Sequence, residues 1–158
     1  MALVHEMLHQ SENLKAIHCN EYIQQMVAHL FRYYETRPGT IAYKTNVEDI
    51  VIELDTAVPF GLMLCELISN SLKHAFPNGG TGEIEISMRL VDGQKVELVT
   101  RDNGVGIPPE QDLDHTQSLG LRLVKVLAEQ LAATVELHRQ GGTEFRVRFN
   151  RVTQNGGT

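Results

Sequence analysis

"GLMLCELISNSLKHAF", residues 61–76, decides how the rest of the chain is read. Set on a helix, it places Glu66, Asn70, Lys73 and His74 on one face and Leu64, Ile68, Leu72 and Ala75 on roughly the opposite side, because residues three and four apart are neighbours on a helix surface. A merely solvated face would carry interchangeable Lys and Glu. Here the stripe combines an acid, an amide, an amine and an imidazole, and asparagine is a poor interior helix former. The stripe reads as a working surface.

Outward from this helix, the patterns alternate between strand and helix. "IAYKTNV" (41–47) and "VIELD" (51–55) suit half-buried strands, and Pro59 is a good first-turn residue for a helix from about 59 to Phe76. "GEIEISMRL" (82–90) and "KVELVTR" (95–101) alternate around Asp92-Gly93, which is a hairpin signal. A Gly-, Pro- and Asp-rich loop then leads to a helix at about 118–132, and "ATVELHR" and "TEFRVRF" flank Gly141-Gly142. Towards the N-terminus, Leu3, Val4, Met7 and Leu8 have helical spacing until "SEN" interrupts. Tyr22, Ile23, Met26, Val27, Leu30, Phe31 and Tyr34 then follow the candidate N-cap Asn20, and "RPG" (37–39) closes that helix. Strands interleaved with helices and joined in antiparallel hairpins predict an α+β fold, a two-layer sandwich.

The totals narrow the function classes. A chain of 158 residues with 42% apolar residues suits one well-packed domain. A formal net charge of −6 argues against binding along a nucleic acid, which needs a basic face. Cys19 and Cys65 are too few for a disulfide framework, and Cys65 reads as a buried reduced thiol. "VPFGLMLC" is cut short by Glu66, and no basic segment precedes an apolar one at the start, so neither a membrane span nor a signal peptide is expected. A cytoplasmic setting without direct membrane contact follows as an expectation. The tail "TQNGGT" is expected to fray.

Two more stretches carry chemistry. In "RDNGVGIPP" (101–109), Gly104 and Gly106 allow a tight turn and close approach to a ligand, and Asp102 stands at a strand end as a hydrogen-bond acceptor. Alone, the pattern could be an ordinary Asp-Gly turn. In "SLGLRLVKVLAEQL" (118–131), a glycine opens a helix whose free N–H groups and dipole favour phosphate, though Ser118 and Gly120 could equally be an N-cap and a packing glycine.

In this order, the three stretches resemble the N, G1 and G2 boxes of the Bergerat (GHKL) ATPases: gyrase, mismatch-repair ATPases, a heat-shock chaperone and the sensor histidine kinases. "ELISNSLKHAF", "RDNGVGIP", "SLGLRLV" and "GGTEFRVRF" look most like the catalytic domains of a bacterial histidine kinase subgroup with a short lid and no phenylalanine box. "ALVHEMLHQSENLKAIHCNEYI" is similar to the end of that subgroup's dimerisation and phosphotransfer helices. The resemblance implies a mixed, mostly antiparallel sheet packed on helices, with residues 1–18 as the end of such a dimerisation helix, 19–150 as an ATP-binding catalytic domain and 151–158 as a flexible tail.

It also implies roles for individual residues. Asn70 matches the Mg²⁺ ligand and Asp102 the carboxylate that accepts from the adenine amino group. Lys73 and His74 match positions that reach toward phosphate or ribose. Glu66 falls where ATP-hydrolysing relatives place the base that activates water, and in a histidine kinase it would polarise the acceptor imidazole. Gly104, Gly106 and Gly120 match backbone positions around the nucleotide, and Thr143 a threonine beside the adenine. Ile107, Ser118, Leu119 and Leu121 lie within the same boxes and count with the nucleotide-binding residues. Ser118 stands where the second glycine box usually opens with glycine, and the short 107–117 lid implies modest ATP affinity. The implied cofactors are ATP and Mg²⁺. The implied partners are histidine-bearing dimerisation helices of a parent kinase, homodimeric when complete, and a response regulator.

"HEMLH" (5–9) has the spacing of a zinc-hydrolase helix, with His5 and His9 as ligands and Glu6 as base. Such a site needs a third ligand and its own cleft, which a nucleotide-binding domain leaves no chain to supply. His5 and His9 are expected instead as exposed residues on the last turns of a dimerisation helix. They are not expected to accept phosphate, since the acceptor helix of the resembled family lies further upstream. A stand-alone anti-sigma-factor serine kinase of the same fold and a nucleotide-gated binding module are the competing readings.

Overall fold

The computed structural model describes residues 3–4, 16–34, 40–77, 80–108, 111–116 and 118–151. The "HEMLH" stretch, "RPG" and the "TQNGGT" tail lie outside the described residues. The element order is β1 (Ala16–His18), α1 (Cys19–Tyr34), β2 (Ile41–Val47), β3 (Val51–Glu53), α2 (Leu54–His74), β4 (Gly82–Asp92), β5 (Lys95–Asp102), α3 (Leu119–Gln130), β6 (Thr134–His138) and β7 (Thr143–Asn150).

The main sheet has the order β2-β4-β5-β7-β6. Only the β2–β4 pair is parallel; the other three neighbours run antiparallel. The α+β sandwich read from the pattern, with the mixed, mostly antiparallel sheet that the resemblance implies, is therefore the fold observed. β4 and β5 form the expected hairpin, with Gly93 at φ 63° in its turn. Alternation sets the two faces. In β7, Thr143, Phe145, Val147 and Phe149 turn inward, as do Ile84, Ile86 and Met88 of β4 and Val96 and Leu98 of β5. Against them α2 buries Phe60, Met63, Leu64, Leu67 and Ile68, with Phe60 and Phe149 rings 5.6 Å apart. Each such side chain contributes about 1.5–3 kcal/mol by leaving water.

The other face of the sheet is charged. Glu97 lies there only 3% exposed, surrounded by arginines from the neighbouring strands. Arg89 donates to one carboxylate oxygen at 3.1 Å, Arg148 to the other at 2.9 Å, and Arg146 stands 3.8 Å away. Burial pushes this carboxyl up, but the hydrogen bonds and charges of the arginines outweigh it and hold it below the usual carboxylate range.

Two boundaries differ from the sequence reading. α2 begins at Leu54, five residues before Pro59, which sits inside the helix. As the sixth helical residue Pro59 has no N–H to give the Asp55 carbonyl, so the helix forgoes one i→i−4 bond in its second turn. Glu53 at the N-cap makes no side-chain capping bond, so the sequence carries no start signal. The small β1–β3 sheet, paired Ala16↔Glu53 to His18↔Val51, was not anticipated either. α1 starts at Cys19 rather than after Asn20 and packs on α2, where the Tyr22 hydroxyl donates to the Ala57 carbonyl at 3.1 Å. Cys19 and Cys65 are free and buried, and burial raises both thiols to about 12.

Candidate active site

Asp102 ends β5 with its side chain 3% exposed. Its Oδ1 accepts from the backbone N–H of Gly104 at 3.0 Å and of Thr143 at 3.3 Å; its Oδ2 accepts from the Ser71 hydroxyl at 2.6 Å. The β5–β7 register, Asp102↔Thr143, brings the threonine to this point. Three elements thus converge on one carboxylate: α2, the turn after β5 and the start of β7. An ionised carboxylate has about four acceptor positions, so three donors leave one for a ligand. A buried acceptor at a strand end can pair with the amino group of a base.

The turn after β5 is tied to the end of α2. Val105 N–H donates to the Ala75 carbonyl at 2.9 Å, and a side chain at Gly104 would overlap that same carbonyl oxygen and the Ala75 methyl. Gly104 is therefore required by contact with α2 itself. Gly106 turns the chain at φ 81°, and Ile107 packs half-buried on the core.

The polar stripe of α2 divides by exposure. Glu66 and Asn70 are half-buried and have no side-chain hydrogen bond or ion pair among the described residues, while Lys73 and His74 are exposed. The Lys73 ammonium lies 5.4 Å from the centre of the Tyr34 ring, at the last residue of α1. On the opposite side Leu64, Ile68 and Ala75 are buried as expected. A second working face of α2 was missed: Ser71 and Ala75, four apart, meet Asp102 and the Gly104 turn. The visible signal was a hydroxyl beside Asn70.

α3 enters beside Glu66. Ser118 caps it, accepting from Leu121 N–H at 3.3 Å, and Leu121 is buried whereas Leu119 is 81% exposed. A side chain on Gly120 would come within 2.7 Å of Glu66 Oε2, so Gly120 leaves room for that carboxylate at the helix entry. The segment before α3 is held from outside. Asp114 pairs with Lys125 at 2.6 Å, Arg139 donates to the Gln111 carbonyl, and Arg122 donates to the Thr116 carbonyl at 3.2 Å. Asp112 accepts from His115 and from the Asp114 and His115 backbones; burial pushes it up, but these bonds outweigh burial and bring it below its ordinary value.

The residues present fit an adenine nucleotide: a buried acceptor lies at one end, and an uncommitted amide, a lysine and a capped helix entry at the other. Among the described residues no group of three or more His, Cys, Asp and Glu side chains is placed to hold a metal ion. Among the described residues no helix is long and apolar enough to cross a membrane.

These features define a class. The chain belongs to the histidine kinase-, DNA gyrase B-, and HSP90-like ATPase family, whose model matches residues 55–153, and ATP binding comes with that membership. A second model, described as histidine kinase, matches residues 1–34, and the domain is the catalytic type of the sensor histidine kinases. Among the relatives, a blue-light-activated histidine kinase 2 of Erythrobacter litoralis is 30% identical over 66% of this chain and 30% of that protein. The sensor histidine kinase PdtaS of Mycobacterium tuberculosis is 27% identical over 94% of this chain and 30% of that protein. The chain thus spans about a third of the length of these relatives. Its fold matches the solved Erythrobacter litoralis EL346 blue-light activated histidine kinase with a TM-score of 0.83 at 22% identity, covering 94% of this chain and 51% of that one.

Proposed function

We propose that the chain binds Mg²⁺-ATP and delivers its γ-phosphoryl group to a histidine on a dimerisation helix of the parent kinase, from which a response regulator takes it. Asp102 accepts from the adenine amino group. Thr143, Gly104, Gly106 and Ile107 line the base. Asn70 offers its amide oxygen to Mg²⁺, and Lys73 and His74 face phosphate and ribose. Ser118, Leu119, Gly120 and Leu121 form the helix entry beside the triphosphate. Glu66 polarises the acceptor imidazole. Mg²⁺ would neutralise charge on the phosphates, and the chain's own part is positioning and charge stabilisation, which dominate phosphoryl transfer. The parent is read as working in the cytoplasm.

The observation that carries this reading is the Asp102 carboxylate, buried and held by three donors with one acceptor position to spare. Incubation with γ-labelled ATP, Mg²⁺ and an added acceptor hairpin tests it. Acid-labile, base-stable label is expected on the hairpin and not on this chain. Label on the chain that vanishes in His5→Gln would make "HEMLH" the acceptor instead, and no label on any hairpin would favour a nucleotide-gated binding module.

A further inference from the structure

We propose that Ser71 determines base specificity at this site, by committing its proton to Asp102 so that the pair presents acceptors only. The inference rests on the adenine reading of Asp102 and extends it to a residue outside the polar stripe. Asp102 Oδ1 already holds two backbone N–H groups, so an incoming donor is directed to Oδ2. There the Ser71 hydroxyl sits at 2.6 Å, and Oδ2 is its hydrogen-bond partner. A hydroxyl has one proton and two lone pairs. With the proton spent on Oδ2, what Ser71 can still offer a ligand is lone pairs. An exocyclic amino group finds an acceptor at Oδ2 beside another at Oγ. A ring carbonyl at the same position meets two oxygens with no proton to give, and an unpaired buried acceptor is penalised.

The same bond positions the carboxylate. Without it, Oδ2 has no donor among the described residues, and the bonds that hold the carboxylate plane there are those at Oδ1. Ser71 reaches this place because it stands four residues before Ala75, whose carbonyl receives Val105 N–H. Helix and turn are locked together there, so the hydroxyl is delivered by a rigid joint rather than by a mobile side chain.

The test measures the affinities of Mg²⁺-ATP, Mg²⁺-ITP and the Mg²⁺ complex of purine riboside triphosphate, by calorimetry on the whole chain. These carry an amino group, a carbonyl and a hydrogen at the discriminating position. Wild type is expected to bind ATP most tightly, purine riboside triphosphate less tightly and ITP most weakly. Ser71→Ala, a substitution that a helix favours, is expected to weaken ATP about fivefold, the worth of one hydrogen bond of roughly 1 kcal/mol, and to narrow the gap to ITP. Purine riboside triphosphate, which makes no amino contact, should change by less than about twofold. Ser71→Thr, which restores the hydroxyl, should restore the ranking. If Asp102→Ala collapses ATP onto purine riboside triphosphate while Ser71→Ala leaves all three affinities unchanged, the serine is a packing residue and the proposal is overturned with the adenine reading intact. If Asp102→Ala leaves the ATP preference untouched, both fall.

Discussion

The two ends of the proposed nucleotide site are built on opposite terms. At the end proposed for the base the acceptors are fixed beforehand: Asp102 is buried, its two oxygens hold three donors with one acceptor position left, and the adjoining turn is bonded to α2 through Val105 and Ala75. At the end proposed for the phosphates Asn70 and Glu66 stand half-buried without side-chain partners among the described residues, and Lys73 rests on an aromatic ring. The segment leading to α3 is held by ion pairs at its outer surface, such as Asp114–Lys125. The lesson is a division of labour. Selecting a base needs a rigid acceptor that is ready beforehand. Binding a metal and a triphosphate, whose charge arrives with the ligand, needs groups that are still free to turn.

The sharpest way to break this comparison is at the base end. Asp102→Ala removes a charged acceptor, and the loss should be about 10- to 150-fold in ATP affinity. Titration of ATP against GTP checks it, since GTP carries a carbonyl at the ring position where adenine has its amino donor and should bind poorly to the unmutated chain. Equal affinities for the two would mean the preformed end does not read the base.

At the other end, Asn70→Ala should cost roughly 10- to 100-fold in Mg²⁺-ATP affinity, the range for loss of groups that support a metal, while leaving Mg²⁺-free ATP unchanged. Calorimetry with and without Mg²⁺ separates the two. A mutant that keeps the wild-type Mg²⁺ dependence would remove the amide from metal binding.

Smaller effects are expected further out. Tyr34→Leu takes away the ring beneath Lys73, and Mg²⁺-ATP should weaken about two- to fivefold, the worth of an exposed cation–π contact. AMP, without the outer phosphates, should be unaffected, and Tyr34→Phe should behave as wild type. An equal loss for AMP would show that the tyrosine matters through packing alone. Lys125→Ala should do least, with ATP affinity within about twofold of wild type because its ion pair with Asp114 is on the surface. Faster hydrogen exchange across residues 111–116 should be the visible result. A larger drop in affinity would mean this outer fastening already belongs to the binding site.

How much of this could be read beforehand depended on how local each signal was. The β4–β5 hairpin and the alternation of β7 were legible because strand period and turn chemistry are written in consecutive residues. The stripe from Glu66 to His74 was legible for the same reason on a helix. β1 was not, since three residues carry too little alternation and its partner β3 lies more than thirty positions away. The start of α2 was hidden because Glu53 makes no capping bond, so Pro59 was the only punctuation to be seen. Ser71 was missed for a different reason. A serine in a helix is unremarkable until the end of another strand is known to face it, and the contact with Asp102 spans thirty-one residues.

The charged knot on the far face of the sheet sets how the domain should behave in acid. Glu97 is the one carboxylate that Arg89, Arg146 and Arg148 share. Because the folded state holds it below its unfolded value, its contribution is complete above the ordinary carboxylate range and disappears as pH falls through the lower folded value. Protonation then leaves three guanidinium groups crowded around a neutral acid. The titration curve of thermal stability should therefore steepen below about pH 4.5, and Glu97→Gln, neutral throughout, should be less stable near neutrality and flatter in acid. The sheet has its own acid threshold, on the face turned away from α2.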